Sequence, residues 1–224
     1  SQIMRPILKG EDVKKYEDPT VSYYTIYPHY EDENKKTKPF DEKVLKEKFP
    51  LAYEYLYQFK TELIEKKVKY KTNPTHWYSL HRSREIALFE TNKIITPEIS
   101  LGCNISLDSR NNYHNTQVYS LIPKNDRKEN IRYWLAILNS PIFWWYLKNT
   151  GTVLRGGYFR FKTKYIEPFP IPTVNFKDQA SIATHDAIVT FVDQMLRAQK
   201  DLQAAKSDSD KSICKQTIAM LDKK

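Results

Sequence analysis

Three prolines in five residues, Pro168-Phe169-Pro170-Ile171-Pro172, constrain this chain more than any other feature. Proline lacks a backbone N–H and holds the residue before it extended, so this segment can be neither a helix nor an inner strand. It separates two stretches of opposite character. All 12 prolines lie before Thr173, and of the 16 Tyr, 10 Phe and 4 Trp only Phe176 and Phe191 lie beyond it. Residues 174–224 carry 8 Lys and Arg against 7 Asp, so +8 of the formal +9 charge sits on residues 1–173. We therefore divide the chain into an aromatic, basic body, 1–173, and a helical tail, 174–224, expected to be a two-helix spacer.

In the tail, Ile182, Val189, Val192 and Leu196 recur at helical spacing, and Ile188, Met195 and Leu202 widen the stripe. That periodicity predicts an amphipathic helix packed on another helix. Ser207-Asp208-Ser209-Asp210 interrupts it and can cap a second helix through Ile213, Thr217 and Leu221. A helical hairpin is the reading; one helix with a frayed end is the alternative.

The body mixes periods. Phe49 to Lys71 predicts one helix with Leu51, Tyr55, Phe59 and Leu63 on one face. Lys93-Ile94-Ile95-Thr96, Asn104-Ile105-Ser106-Leu107 and 117–122 predict strands, the last two joined as a hairpin across the turn-rich 108–112. Ile131 to Leu138 predicts a helix. Ser140-Pro141 supplies the cap and first-turn proline of the next, which Gly151 ends. Tyr158 to Lys164 alternates like a strand. The fold class is mixed α+β, with antiparallel strands and helices in the body and a helical hairpin behind it.

Several chemistries are not expected. The five glycines (Gly10, Gly102, Gly151, Gly156 and Gly157) make neither G-x-G-x-x-G nor a P-loop, so no nucleotide cofactor is expected within this chain. Cys103 and Cys214 cannot build a Cys-rich zinc site. With a start unlike a signal peptide, they read as reduced thiols of a cytoplasmic protein. No apolar run is long enough to span a membrane. His29, His76, His81, His114 and His185 show no ligand spacing, so no metal is expected. Asn73-Pro74-Thr75-His76 falls short of the Asn-Pro-Pro-Tyr signature that holds a flipped adenine, and reads as a turn. Glu33-Asn34-Lys35 and Glu65-Lys66-Lys67 match half of a magnesium nuclease site but lie outside apolar strands, and read as solvated surface.

What remains is charge with aromatics. Leu154 to Tyr165 holds Arg155, Arg160, Lys162 and Lys164 and no acid. As a strand, Tyr158, Arg160, Lys162 and Lys164 would share one face, leaving Phe159 and Phe161 for the core. Gly156-Gly157 lets backbone approach a ligand closely, and arginine can meet guanine O6 and N7 together. A second basic stretch, 66–84, ends in Trp77-Tyr78-Ser79-Leu80-His81-Arg82-Ser83-Arg84. Its lysines suit phosphates, and its Arg, His and Ser groups suit bases or sugars. For both stretches an ordinary solvated basic face is the competing account.

An ordered set of segments resembles a known family. It comprises Arg5-Pro6-Ile7-Leu8-Lys9-Gly10-Glu11-Asp12-Val13, Phe49-Pro50-Leu51-Ala52-Tyr53, Trp77-Tyr78-Ser79-Leu80-His81-Arg82 and Lys93-Ile94-Ile95-Thr96-Pro97-Glu98. Leu138-Asn139-Ser140-Pro141-Ile142-Phe143-Trp144, Leu154-Arg155-Gly156-Gly157-Tyr158-Phe159-Arg160-Phe161 and Pro168-Phe169-Pro170-Ile171-Pro172 complete it. The set resembles the C-terminal target recognition (specificity) domain of type IIG restriction–modification enzymes and adenine-N6 DNA methyltransferases.

The resemblance implies double-stranded DNA as partner and no catalysis in this chain. It places a methyltransferase domain, and in some members a nuclease domain, upstream on the same polypeptide. S-adenosylmethionine and Mg2+ would belong to those domains. It also implies an excised C-terminal fragment, cut short at Asp222-Lys223-Lys224. The expected DNA-binding residues are Arg155, Gly156, Gly157, Tyr158, Arg160, Lys162 and Lys164, with Trp77, Tyr78, His81, Arg82 and Arg84. A protein-interaction module of a DNA-modifying or phage-defence complex, or a small nuclease or transferase active alone, are the rival readings.

Overall fold

The computed structural model describes residues 3–124 and 126–223; Lys224, the last residue of the proposed cut end, lies outside them. Chain contacts divide it into two compact units. The first gathers residues 1–7, 22–91 and 111–113, and the second gathers 8–21, 92–110 and 114–224.

In the first unit, β1 (Met4–Leu8) runs antiparallel to β2 (Tyr23–Ile26), pairing Met4 with Ile26 and Ile7 with Tyr23. β3 (His29–Glu31) and β4 (Thr37–Pro39) form a separate two-stranded pair. Helices α1 (Glu42–Lys48), α2 (Pro50–Tyr57), α3 (Lys60–Lys69) and α4 (Ile86–Phe89) complete it. One core joins Ile3, Leu45, Trp77 and Tyr78; a second stacks Phe89 on Tyr113 at 4.3 Å beside Tyr27.

The single helix expected over 49–71 is two helices. The chain turns at Gln58–Phe59, where Phe59 N–H bonds the Leu56 carbonyl at 3.0 Å and Phe59 leaves helical geometry. The face that shares Leu51, Tyr55 and Phe59 is not the one that is buried. Ala52, Tyr53 and Leu56, then Leu63 and Ile64, meet the Trp77 core, whereas Leu51, Tyr55 and Phe59 face solvent. A helical period identifies that a face exists, but tyrosine and alanine could serve either face, so the side of burial was open.

In the second unit, β5 (Lys93–Pro97) is buried along its whole length. It lies between β7 (Ser106–Asp108) and β9 (Val118–Leu121), antiparallel to both. The expected hairpin between the last two strands is therefore absent. The apolar β5 takes the centre, where both edges and both faces are covered, and β8 (Tyr113–His114) lies between the flanking strands in sequence. β6 (Ile99–Ser100) pairs instead with β10 (Phe159–Arg160).

Helices α5 (Ile131–Leu138) and α6 (Pro141–Thr150) form as their caps dictate. Ser140 Oγ accepts from Phe143 N–H at 3.2 Å, and a side chain on Gly151 would come within 2.6 Å of the Leu147 carbonyl oxygen. After α7 (Thr163–Ile166) the proline segment is irregular. Leu135, Leu138, Phe143, Leu147 and Phe161 pack around Ile94 and Ile105.

The hairpin of α8 (Gln179–Ala204) and α9 (Asp208–Leu221) is observed. Asp178 caps α8 through Ala180 and Ser181 N–H, and Ser207 caps α9 through Asp210 N–H. Val192 and Met195 enter the main core of the unit. The hairpin also clasps the chain near its start: Gln199 Nε2 donates to the Lys15 carbonyl at 3.3 Å, Gln203 Nε2 to the Asp18 carbonyl at 3.2 Å, and Lys15 Nζ meets Asp222 at 2.5 Å. Both cysteines are free thiols, and burial pushes Cys103 up to about 12. No helix among the described residues is long and apolar enough to cross a membrane.

Candidate nucleic-acid interface

The basic segment of the second unit is a loop on a fixed base rather than the expected seven-residue strand. Val153 bridges Phe159, Leu154 N–H bonds the Tyr158 carbonyl at 2.6 Å, and Gly157 N–H bonds the Leu154 carbonyl at 3.2 Å. Between them Gly156 and Gly157 sit at φ 82° and 80°, a left-handed conformation that favours glycine. The pair tightens the turn, and Arg155 and Tyr158 emerge at its exposed tip. The strand itself is only Phe159–Arg160, and Lys162 takes the position just before α7, so the alternation ends where the helix begins. Phe161 is fully buried near Phe143 and Trp144, and Phe159 meets Trp144 edge-on at 5.2 Å. The core thus anchors the loop from behind.

Its charge is not free of acid. Arg160 lies 3.2 Å and Lys162 4.0 Å from the Glu98 carboxylate, and Phe161 N–H bonds the Glu98 carbonyl at 2.8 Å. Glu98 was missed because it lies 62 residues from Arg160, and no local spacing pairs them. Arg155 and Lys164 are exposed, Lys164 with its ammonium 4.7 Å from the Tyr165 ring. Removing the acid should strengthen the positive field. Glu98→Gln is expected to raise affinity for any duplex several-fold at low salt and to steepen the log–log salt dependence by about one unit. Anisotropy titrations over a salt series would read this, and an unchanged slope would count against the role given to Glu98.

The second stretch divides sharply. Trp77 and Tyr78 are 2% and 4% exposed. Trp77 Nε1 donates to Glu42 at 3.1 Å, and Tyr78 hydroxyl donates to the Phe40 carbonyl at 2.6 Å. Burial removes both from the expected contact surface. Two large rings are worth more in a small core than in water, and each finds an internal acceptor for its polar atom. Lys67 departs from the solvated surface expected of it. Its buried ammonium donates to Ser79 Oγ at 2.8 Å and to the Leu80 carbonyl at 3.0 Å, and burial lowers its pKa. It braces the loop that follows.

His81, Arg82 and Arg84 are exposed on that loop. His81 Nδ1 shares a 3.1 Å hydrogen bond with Thr72 hydroxyl and packs edge-on against Tyr70. Desolvation first, then Lys67 and Lys66, lowers the His81 pKa. Arg84 lends its carbonyl to Tyr27 hydroxyl at 2.7 Å. Lys66 is paired with Glu62 at 2.6 Å. Asn73-Pro74-Thr75-His76 forms a single 3-10 turn in which Asn73 Oδ1 accepts from Thr75 N–H at 2.9 Å, as a local cap would. His29, deep beneath, is pushed down to about 4 by burial, with Lys67 and His76 adding to the shift. Neutral at pH 7, it adds no charge to the surface.

Among the described residues no three His, Cys, Asp or Glu side chains converge as a metal site. Each unit instead offers exposed cations on a braced loop, an arrangement that suits a polyanionic surface. The comparisons with known proteins agree in kind. The model of the TaqI-like C-terminal specificity domain matches residues 5–171, and the chain belongs to that family. It is also 28% identical over 206 residues to the Type II restriction enzyme and methyltransferase RM.Eco57I of Escherichia coli. The match covers 88% of this chain and 20% of that protein, so the chain spans about one fifth of its relative.

Proposed function

We propose that the chain is a sequence-specific double-stranded DNA recognition domain without catalysis of its own. It would hold the methyltransferase domain, and any nuclease domain, of a type IIG restriction–modification enzyme or adenine-N6 methyltransferase on its site. The observation that carries this is the glycine loop of the second unit, which aims Arg155 and Tyr158 outward while Phe161 anchors it in the core. Family membership supports it.

In this reading Arg155 makes two hydrogen bonds to a guanine edge, and Tyr158 stacks or wedges at a base step. Lys164 meets backbone phosphate, as do Arg160 and Lys162 in competition with Glu98. His81, Arg82 and Arg84 add contacts from the first unit, with His81 on a phosphate. Gly156 and Gly157 keep the loop flat against the duplex. The tail hairpin is the spacer that braces the domain. S-adenosylmethionine and Mg2+ belong to the catalytic domains, and the enzyme works in the cytoplasm, where its DNA is.

The test is anisotropy binding to a randomised duplex pool at two salt concentrations, with sequencing of the bound fraction. Salt-sensitive binding with an enriched short motif is the expected result, the slope being about −0.9 per phosphate neutralised. Arg155→Ala should relax preference at one base pair by about 1–3 kcal/mol, whereas Lys164→Ala should weaken all duplexes alike. Equal losses for both across cognate and scrambled DNA would remove that division. One observation favours a protein-interaction module instead: Leu51, Tyr55 and Phe59 stand exposed on one side of the first unit. Binding indifferent to salt would select that reading.

A further inference from the structure

β2 is an end strand of its sheet, bonded to β1 on one side only. Tyr27 N–H donates to the Ile3 carbonyl at 2.8 Å, which fixes the phase of the antiparallel ladder. In that register Tyr23 and Thr25 turn their backbone groups towards β1, and Tyr24 and Ile26 turn theirs to the open side. Pro6, which has no N–H to give, falls opposite Tyr24, where none is needed. Among the described residues the outward groups of Tyr24 and Ile26 find only the Thr25 hydroxyl, 3.4 Å from the Ile26 carbonyl.

Beside this edge a groove of about 740 Å3 runs between β2 and α2. Ile26, Phe49 and Leu56 tie its floor to the Trp77 core, while Tyr24, Leu51 and Tyr55 line it at 65, 80 and 55% exposure. Lys48 is the one charged residue in the lining among those described, so the walls suit apolar side chains. End strands are usually blunted by a charge or a proline that blocks further pairing. Tyr23-Tyr24-Thr25-Ile26 carries neither.

The edge therefore suits a second strand with uncharged, largely apolar side chains, and β2 itself is such a strand. We propose that β2 and the groove beside it dock a second copy of this chain, strand against strand about a two-fold axis at Thr25. Tyr24 and Ile26 flank Thr25 symmetrically, so each outward N–H of one copy meets an outward carbonyl of the other. At about 150–250 Å2 for a large side chain, the exposed parts of Met4, Tyr23, Tyr24, Leu51 and Tyr55 amount to roughly 600 Å2 per copy. Two copies would bury about 1,200 Å2 together, the lower bound for a specific interface, so the dimer is weak and reversible. It is independent of the DNA-recognition reading, since neither β2 nor α2 belongs to either basic loop.

The test is sedimentation equilibrium of the intact chain from about 1 to 200 μM, a span that covers the affinities of small interfaces. Moderate salt screens the net charge of +9 that opposes association. The mass should rise from one chain to two. Over the same range the Tyr24 and Ile26 amides should come to exchange about tenfold more slowly, while Thr25, bonded to β1, is protected throughout. Tyr24→Lys and Leu51→Lys fall at exposed positions and should keep the melting temperature of the dilute chain. Each should raise the dimer dissociation constant about tenfold, as a charge set on a strand edge or its wall does. A single chain at every concentration would overturn the second copy as occupant and leave the edge for a strand of another polypeptide. A dimer that both variants retain, or one that leaves the Tyr24 and Ile26 amides as exchangeable as before, would overturn the proposal by placing the contact elsewhere. A Tyr24 amide already protected in the dilute chain would overturn it too, because the edge would then be closed from within.

Discussion

Asp108→Asn is expected to destabilise the second unit by about 3–5 kcal/mol, because it leaves the Lys93 ammonium buried without its counter-ion. Lys93 Nζ and Asp108 Oδ2 are 2.6 Å apart, and neither side chain has exposed surface. They are direct register partners across β5 and β7, and Asp108 Oδ1 also accepts from Arg110 N–H at 3.0 Å. Burial strips both groups of water, so one partner alone bears the whole desolvation penalty. Lys93→Met alone should cost a similar amount. The double variant Lys93→Met/Asp108→Leu should recover most of the loss, since apolar replacement of a buried pair is often neutral or stabilising. Thermal unfolding reads the effect: at about 2–4 °C per kcal/mol for a chain of this size, the single variants should melt roughly 6–20 °C lower. Single-variant losses below about 1 kcal/mol would show that water reaches the pair.

Trp77→Ala should cost about 3–5 kcal/mol of stability in the first unit, the range for deleting a large buried aromatic. The indole touches Tyr53 and Tyr57 edge-on at 6.1 Å each, and it satisfies Glu42 together with Tyr53 hydroxyl and Lys60. Trp77→Phe keeps part of the packing and should cost less. The outcome separates core from interface. If Trp77 is core, the urea midpoint falls while the remaining folded chains rank duplex sequences as before. A reordered DNA preference with unchanged stability would return Trp77 to the contact surface.

These two residues mark where local reading stops. The motif Trp77-Tyr78-Ser79-Leu80-His81-Arg82 was recognised as a unit, and aromatic residues beside cations suit nucleic acid as well as a core. Whether a ring faces inward depends on Glu42 and Phe40, which lie more than thirty residues away. Lys67 is a sharper case. Within a run of lysines nothing distinguishes it, yet it alone in that run has Ser79 Oγ and the Leu80 carbonyl placed to accept from its ammonium and is buried for it. Glu98 likewise tempers Arg160 and Lys162 from across a strand pair.

By itself the sequence determined what is written within a few residues. The caps of Ser140, Asp178 and Ser207 start helices α6, α8 and α9. Gly156 and Gly157 make the turn, and the apolar run of β5 makes a buried strand. The proline segment interrupts the regular structure, and the ordered motifs mark a specificity domain. Only the tertiary structure decided the turn between α2 and α3, the side each of them buries, the central place of β5 and the acid beneath the basic loop. The reason is range. Caps, prolines and glycines act through bonds within one turn of chain, whereas burial and ion pairing depend on which distant segment arrives, and that is set by the packing of the whole core.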